Sequence, residues 1–418
     1  MYKIVWITNT PLAAVKQKLN LGLFGTGTWM DNLLTGLLKS KAYEFYIISP
    51  YPIENFSFVE EGITFYIIHS NLSIYNSTEK EFLYQIKKII FNIKPDLIHI
   101  HGSERRSGLL CEEGEIINVP IIISLQGLTS QISKVVIKRI FKAYHIVLKS
   151  DESFYYKMKD LYFQTKYVIN MFRSGLRERR ILKINKYFFG RTDFDKSTLM
   201  KFNSKARYFP EPRILREPFY HDKWELNKAD RNSILLLNIR GPAKSAETAI
   251  RALILLNSKY PDIELRVGGI DEKGYYGQYL MKFARRNNLS SKVKLLGYLS
   301  DYETIRWLKK SHVFCLTSLI ENSPNTLAEA QMIGLPCVAH ITGGVASYVD
   351  DNSALNYFNN NNADLAKKIE IVFSDDEFAV SLGQKAYEVS HRRHDIEKSI
   401  AMVGSAYQTI LEQNTQHE

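Results

Sequence analysis

Residues 313–341 read VFCLTSLIENSPNTLAEAQMIGLPCVAHI. The opening run VFCLTS (313–318) is continuously apolar before its polar end, as a strand buried on both faces is. A polar loop follows. Ser323 suits the N-cap of a helix and Pro324 its first position, where a missing N–H costs nothing. Gly334 and Pro336 close that helix. PCVAHI (336–341) then reads as a second buried strand. Strand, helix and strand in one short stretch is the unit from which parallel sheets are built.

The same grammar extends outward in both directions. Strands are expected at 233–239 (SILLLNI), 264–269 (ELRVGG) and 293–298 (VKLLGY). In the first half they are expected at 3–8, 45–49, 64–68, 96–101 and 120–126. Helices are expected near 28–39 and 78–93. The second has Phe82, Ile86, Ile89 and Ile90 at helical spacing, with Thr78 and Glu81 as a capping box. Between the halves, FPEPRILREPFYHDKWELNKADR (209–231) is rich in Pro, charge and aromatics. The fold class is therefore α/β, with two doubly wound Rossmann-like domains facing across a cleft. The expected bounds are 1–210 for the first domain, 211–231 for the linker and 232–385 for the second. A last helix over 386–418 crosses back to the first.

Composition agrees with two globular domains. The chain has 418 residues, 45% apolar and 24% charged, which excludes disordered, collagen-like and coiled-coil chains. No apolar run reaches the roughly 18 residues of a spanning helix. The N-terminal apolar run ends at Asn9, Thr10 and Pro11, so no secretory signal is expected. Three scattered cysteines, Cys111, Cys315 and Cys337, fit reduced thiols in a cytoplasmic chain. The net charge is +11. Lys134 to Arg191 carries 15 Lys and Arg against 4 Asp and Glu, so this segment holds the whole surplus. Its Lys and Arg alternate with Phe, Tyr, Ile and Leu. That mixture suits an anionic membrane interface, nucleic acid, or a solvated helical face.

The chemistry gathers at strand ends. The helix starting near Pro324 exposes free N–H groups at a strand's carboxyl end, an arrangement that binds phosphate, and Asn322, Ser323, Pro324, Asn325 and Thr326 are the candidate binding residues there. Glu321 and Glu329 flank it with seven residues between them, and carboxylates accept well from sugar hydroxyls. The same residues would also serve in a capped surface helix with two solvated glutamates. After strand 233–239 come Arg240 and Lys244, a planar fork and a point charge that can clamp a diphosphate. On strand 96–101, His99 and His101 are expected to point to opposite faces, His101 toward the cleft and His99 into the core. Two histidines so spaced make no zinc site without further ligands. The loop LFGTGT (23–28) has Met30 where a dinucleotide fingerprint needs its third glycine, which disfavours a dehydrogenase. Asp193-Phe194-Asp195 spells a DxD, but in an architecture where no metal is expected to use it. Arg191 and Asp195 read as structural or cleft-lining.

Glu321, seven residues, Glu329, then Gly334-Leu335-Pro336 and Gly343-Gly344, resembles the signature of retaining glycosyltransferase family 4 enzymes of the GT-B fold. The likeness is tight over about 233–350. It implies transfer of a hexose, with retention, from a nucleotide-diphosphate sugar of UDP or GDP type. The acceptor would be a hydroxyl of a glycan or lipid-linked saccharide, in surface polysaccharide synthesis. It places Arg240 and Lys244 on the donor diphosphate, with Ser245 where the family carries Gly. Glu321 and His101 come to the reaction centre, and Glu329 to the donor. Gly25 and Gly27 approach the donor phosphate, and Tyr298 follows the turn that packs on the nucleobase. No resident cofactor and no metal are implied. Among partners for the basic segment 134–191, lipid then outranks nucleic acid, and the protein is expected in the cytoplasm, held peripherally at the inner face of the membrane.

Overall fold

A computed structural model describes residues 1–21, 28–70, 79–112, 119–149, 153–349 and 351–415. Gly25, Gly27 and Thr78 lie outside the described residues. The chain divides into two compact units.

The first unit comprises Met1–Ser133, Asn170–Ile214 and His394–Glu418. Its strands are β1 (Tyr2–Ile7), β2 (Tyr43–Tyr51), β3 (Phe56–Glu60), β4 (Ile63–His69), β5 (Leu97–His101), β6 (Ile121–Ser124), β7 (Tyr187–Gly190) and β8 (Arg207–Pro210). They form one sheet in the order β3-β4-β2-β1-β5-β6-β7-β8. All neighbours are parallel except β3 and β4. That exception is a two-residue hairpin at Glu61 and Gly62, both at positive φ, as such tight turns require. Apolar layers cover both faces, one around Ile4, Trp6 and Phe189, the other around Val5, Ile98 and Phe188.

The second unit comprises Lys134–Ile169 and Leu215–Arg393. Its strands are β9 (Ser233–Leu236), β10 (Glu264–Gly268), β11 (Val293–Gly297), β12 (Val313–Leu316), β13 (Cys337–His340) and β14 (Leu355–Tyr357). The sheet is wholly parallel, in the order β11-β10-β9-β12-β13-β14. Each unit is doubly wound: the chain runs outward from β1 in one and from β9 in the other, then returns to build the opposite side. Such a reversal leaves a crevice at the carboxyl ends of the central strands. In the second unit these are β9 and β12, which pair through Val313 with Ile234 and Phe314 with Leu235.

Residues 134–169, assigned by sequence to the first domain, group with the second unit. The reason is local packing. Ile146 is buried in the same core as Ile234 and Leu236, and Lys142 forms an ion pair with Glu247. The expected single last helix is two, Asp376–Arg393 and Ile396–Thr415. The division between the units falls in the break between them. The later helix belongs to the first unit, where Val403 and Tyr407 are buried beside Ile4 and Trp6.

Candidate active site

In the second unit, two loops leave the paired strands β9 and β12 and are tied together. Leu319 N donates to Ala243 O at 2.9 Å, and Thr317 Oγ1 donates to Lys244 O at 2.7 Å. The tie brings Lys244 Nζ to 2.5 Å from Glu321 Oε1, both side chains largely shielded. The Glu321 backbone is clamped from a third loop. Gly344 N donates to its carbonyl at 2.9 Å, and Gly343 sits at φ +53°, where a Cβ would lie 2.1 Å from that same oxygen. Gly343 of the sequence motif thus permits a backbone approach that a side chain would block.

Ser245 lies in the left-handed region, at φ +48° and ψ 43°. This is the position where the resembled family carries Gly. Here the hydroxyl is held instead: Ser245 Oγ is 3.1 Å from Thr248 Oγ1 and accepts from Asn360 Nδ2 at 3.0 Å. Arg240 is exposed and forms no ion pair among the described residues.

The helix expected from Pro324 runs from Asn325 to Met332, one residue later, with Pro324 itself as the N-cap. Proline has no capping side chain, so the N-cap residue makes no side-chain bond to the first turn. Ser323, the expected cap, pairs its Oγ with Tyr348 OH at 2.8 Å. A helix end whose N-cap residue supplies no side-chain bond leaves amides that suit an anion. Asn322 is buried; Asn325 and Thr326 are half-buried. Tyr298, following Gly297 at φ +69°, is 75% exposed.

Glu329 lies on the buried side of this helix, and a residue not singled out in the sequence holds it. Arg216 donates from Nε at 3.0 Å and from Nη2 at 2.7 Å to Glu329 Oε1, and it also pairs with Asp301. A glutamate within LAEA (327–330), on an apolar helix, needs a cationic partner. The linker arginines were the place to seek it.

In the first unit, His101 ends β5 with no exposure. His99 and His101 do not face opposite ways. Their rings are 3.8 Å apart, because side chains two residues apart share one face of a strand. His99 is a core histidine, as expected, and its bonds assign its proton. Trp6 Nε1 donates to Tyr407 OH at 2.9 Å, so Tyr407 donates to His99 Nδ1 at 2.6 Å. His99 Nε2 then donates to Ser124 Oγ at 2.7 Å, which donates to Glu211 Oε1 at 3.0 Å. Arg191 Nη2 completes the chain on Glu211 Oε2 at 3.1 Å. Burial, reinforced by Arg191, pushes the His99 pKa down to about 3. Burial, with His99 and Arg191 beside it, lowers His101 as well. Neither nitrogen of His101 has a hydrogen-bond partner among the described residues, and its ring packs edgewise on Trp6 at 4.4 Å and near Trp29 at 5.5 Å. Trp29 also carries Arg191 and Arg213 over its ring, at 4.9 and 5.1 Å.

Asp195 of the DxD is tied into the fold. Asp195 forms a capping box with Thr192, accepts from Arg191 N at 2.9 Å and accepts from Tyr208 OH at 2.7 Å. All three cysteines are free thiols.

Residues 219–389 match the family model of glycosyl transferases group 1. An uncharacterized glycosyltransferase of Methanocaldococcus jannaschii is 23% identical over 273 residues, covering 61% of this chain and 58% of that protein. Sucrose-phosphate synthase from Thermosynechococcus elongatus superposes with a TM-score of 0.71 at 14% identity, covering 99% of this chain and 100% of that one. The Anabaena protein HepE, in complex with UDP and glucose, gives 0.64 at 12% identity, covering 98% and 100%. The second unit thus carries the match to the glycosyl transferases group 1, and the chain shares the two-domain GT-B fold across its length.

Proposed function

We propose that the protein is a retaining hexosyltransferase that uses a nucleotide-diphosphate sugar of UDP or GDP type and a hydroxyl of a glycan or lipid-linked saccharide. The observation that carries this reading is the meeting of Lys244 and Glu321 at 2.5 Å beside an uncapped helix start. Lys244, the exposed Arg240 and the amides of Asn325 and Thr326 are suited to a leaving diphosphate. Their charge is in place before the bond breaks, which is where preorganised electrostatics lowers a barrier most. Glu321 is suited to a sugar hydroxyl at the reacting end, and Glu329 to the donor further along the helix. A bound UDP and glucose in HepE supports a donor of this class.

Residues 134–191 supply a second element of the reading, reversible attachment to an anionic membrane surface. No helix among the described residues is long and apolar enough to cross a membrane. Yet Phe141 is 80% exposed and Phe154 77%, in a segment that carries the whole net charge. Surface polysaccharide synthesis is the process such an enzyme would serve.

The deciding experiment is a thermal-shift panel of UDP-, GDP- and ADP-sugars followed by product analysis. A cognate donor at 100 times its dissociation constant stabilises by about 2.7 kcal/mol. Transfer with the donor's anomeric configuration kept in the product is the expected outcome. Stabilisation by no nucleotide sugar would remove the reading, and an inverted product would remove retention.

A further inference from the structure

We propose that the second unit holds a site for the hydrocarbon chain of a phosphate-bearing lipid, between residues 134–169 and the turn Arg240–Lys244. A cavity of about 420 Å³ lies there. One wall is a helical stripe, Val136, Ile140 and Ala143, at spacings of four and three. Val168 and Tyr167 face the cavity from the following helix, and Gly241 to Ala243 close the far side.

The void is held open between fixed points. Lys142 pairs with Glu247, Gln164 Nε2 donates to Tyr275 OH at 2.9 Å, and Lys282 Nζ donates to Lys149 O at 3.2 Å. Ile146 is buried in the core of the unit. Anchored helices normally interdigitate with what they cover, leaving few voids larger than a water molecule. Here the space between the anchors has the size of a ligand site, in the range of about 300–1,000 Å³.

The lining specifies the occupant. Its walls are mostly aliphatic or aromatic, and its charged groups are Arg139, Arg240 and Lys244, with no carboxylate among them. Lys244 is engaged by Glu321, whereas Arg139 and Arg240 form no ion pair among the described residues. An apolar hollow with unneutralised cations at its wall complements a chain ending in an anion. Arg240 belongs to the turn assigned above to the donor diphosphate, so the lipid phosphate would be held beside the transfer chemistry. The same segment carries Phe141 and Phe154 into solvent, an apolar surface from which a chain could leave a bilayer. What the lipid carries rests on the transferase reading; the binding of its chain does not.

Dodecyl phosphate below its micelle concentration, titrated calorimetrically into the whole protein, tests the site. The wild type binds. Ala143→Trp and Val168→Trp, which fill the cavity, each weaken binding by about tenfold or more, the equivalent of two methylenes returned to water. Arg139→Gln weakens it too, and inorganic phosphate does not compete at equal concentration. Two positions are used so that one misfolded variant leaves the other informative; circular dichroism and the urea unfolding midpoint certify the fold. Unchanged binding in both tryptophan variants, or inorganic phosphate binding as tightly as dodecyl phosphate, overturns the site. A wild type that binds nucleotide sugars and ignores dodecyl phosphate also overturns it, while leaving the transferase reading intact. The reverse pattern keeps the site and removes that reading.

Discussion

Arg216 Nη2 lies 2.7 Å from Oε1 of Glu329, and the same guanidinium also pairs with Asp301. The arginine side chain is 24% exposed and the glutamate 7%. Removing the cation strands a carboxylate in a poorly hydrated place, a cost of about 1–3 kcal/mol for a partly shielded pair. Arg216→Ala should therefore lower the urea midpoint by that equivalent. Glu329→Ala in the Arg216→Ala background should cost less than Glu329→Ala alone. Additive effects, within about 0.5 kcal/mol, would show the pair to be uncoupled.

The two glutamates of the motif should separate kinetically. Glu329 sits on the buried side of its helix, where a donor's remote part would be gripped equally in ground and transition states. Glu321 sits on the loop, its carboxylate already placed by Lys244. Glu329→Ala should raise the KM for the donor, and Glu321→Ala should mainly lower kcat. Transfer at the wild-type rate by both variants would remove the site assignment.

Activity should persist in EDTA. Among the described residues, ligand-type atoms converge at His99, His101 and Glu211, within 4.8 Å of one another. His99 has both ring nitrogens engaged, and both Glu211 oxygens accept hydrogen bonds. A metal there would have to break the chain from Trp6 to Arg191. Asp195 of the DxD is likewise engaged by Thr192, Arg191 and Tyr208. Loss of transfer in EDTA, restored by magnesium or manganese, would be the contrary result.

The buried histidine predicts an acid limb in stability. With a folded pKa of about 3 for His99 and an ordinary value of 6.5, the unfolded chain binds the proton and the folded one does not. Stability is unaffected by this group above pH 6.5. It falls by about 1.4 kcal/mol per unit as pH drops from 6.5 toward 3. His99→Gln lacks the titration, so the difference between wild type and variant isolates it. Urea unfolding at pH 7.5, 6.5 and 5.5 should show the wild type losing ground to the variant at the lowest pH alone. A difference independent of pH would mean that His99 is hydrated in the folded state.

Residue pattern reached the second unit further than the first. Strands 313–318 and 336–341 and the helix between them are legible because buried parallel strands are unbroken apolar runs and Gly334 with Pro336 is a clear stop. Gly343 and Gly344 are legible as a motif, and the structure adds the reason, the approach to Glu321 O. Arg216 was hidden because its role depends on a glutamate far away in sequence. The strand Phe56–Glu60 was hidden because it is short and lies at the sheet edge, where none of its residues is fully buried. The membership of residues 134–169 in the second unit was hidden for another reason: Ile146 and Lys142 reveal their partners only in three dimensions. His99 and His101 share one face, because a spacing of two returns a side chain to the same side of a strand.

Phe141, Phe154 and Tyr155 are 80%, 77% and 69% exposed, and Lys138, Lys159 and Lys166 are exposed on the same two helices. Large apolar side chains displayed among lysines are the composition of a segment that lies on a membrane surface. Cations beside them favour an anionic one. Each basic residue near such a membrane contributes about 1 kcal/mol, screened over a Debye length of roughly 8–10 Å at ordinary salt. The protein should therefore co-sediment with vesicles containing anionic lipid, and binding should fall as salt rises. Serine at Lys138, Lys159 and Lys166 should release it while leaving transfer to a soluble acceptor analogue unchanged. Serine at Phe141 and Phe154 should release it with little change in salt dependence, because those side chains bind by burial and not by charge. Equal binding to neutral and anionic vesicles, or none to either at low salt, would exclude an anionic membrane as the partner. Nucleic acid co-purifying with the protein and displaced by salt would assign the same cations to a different polyanion.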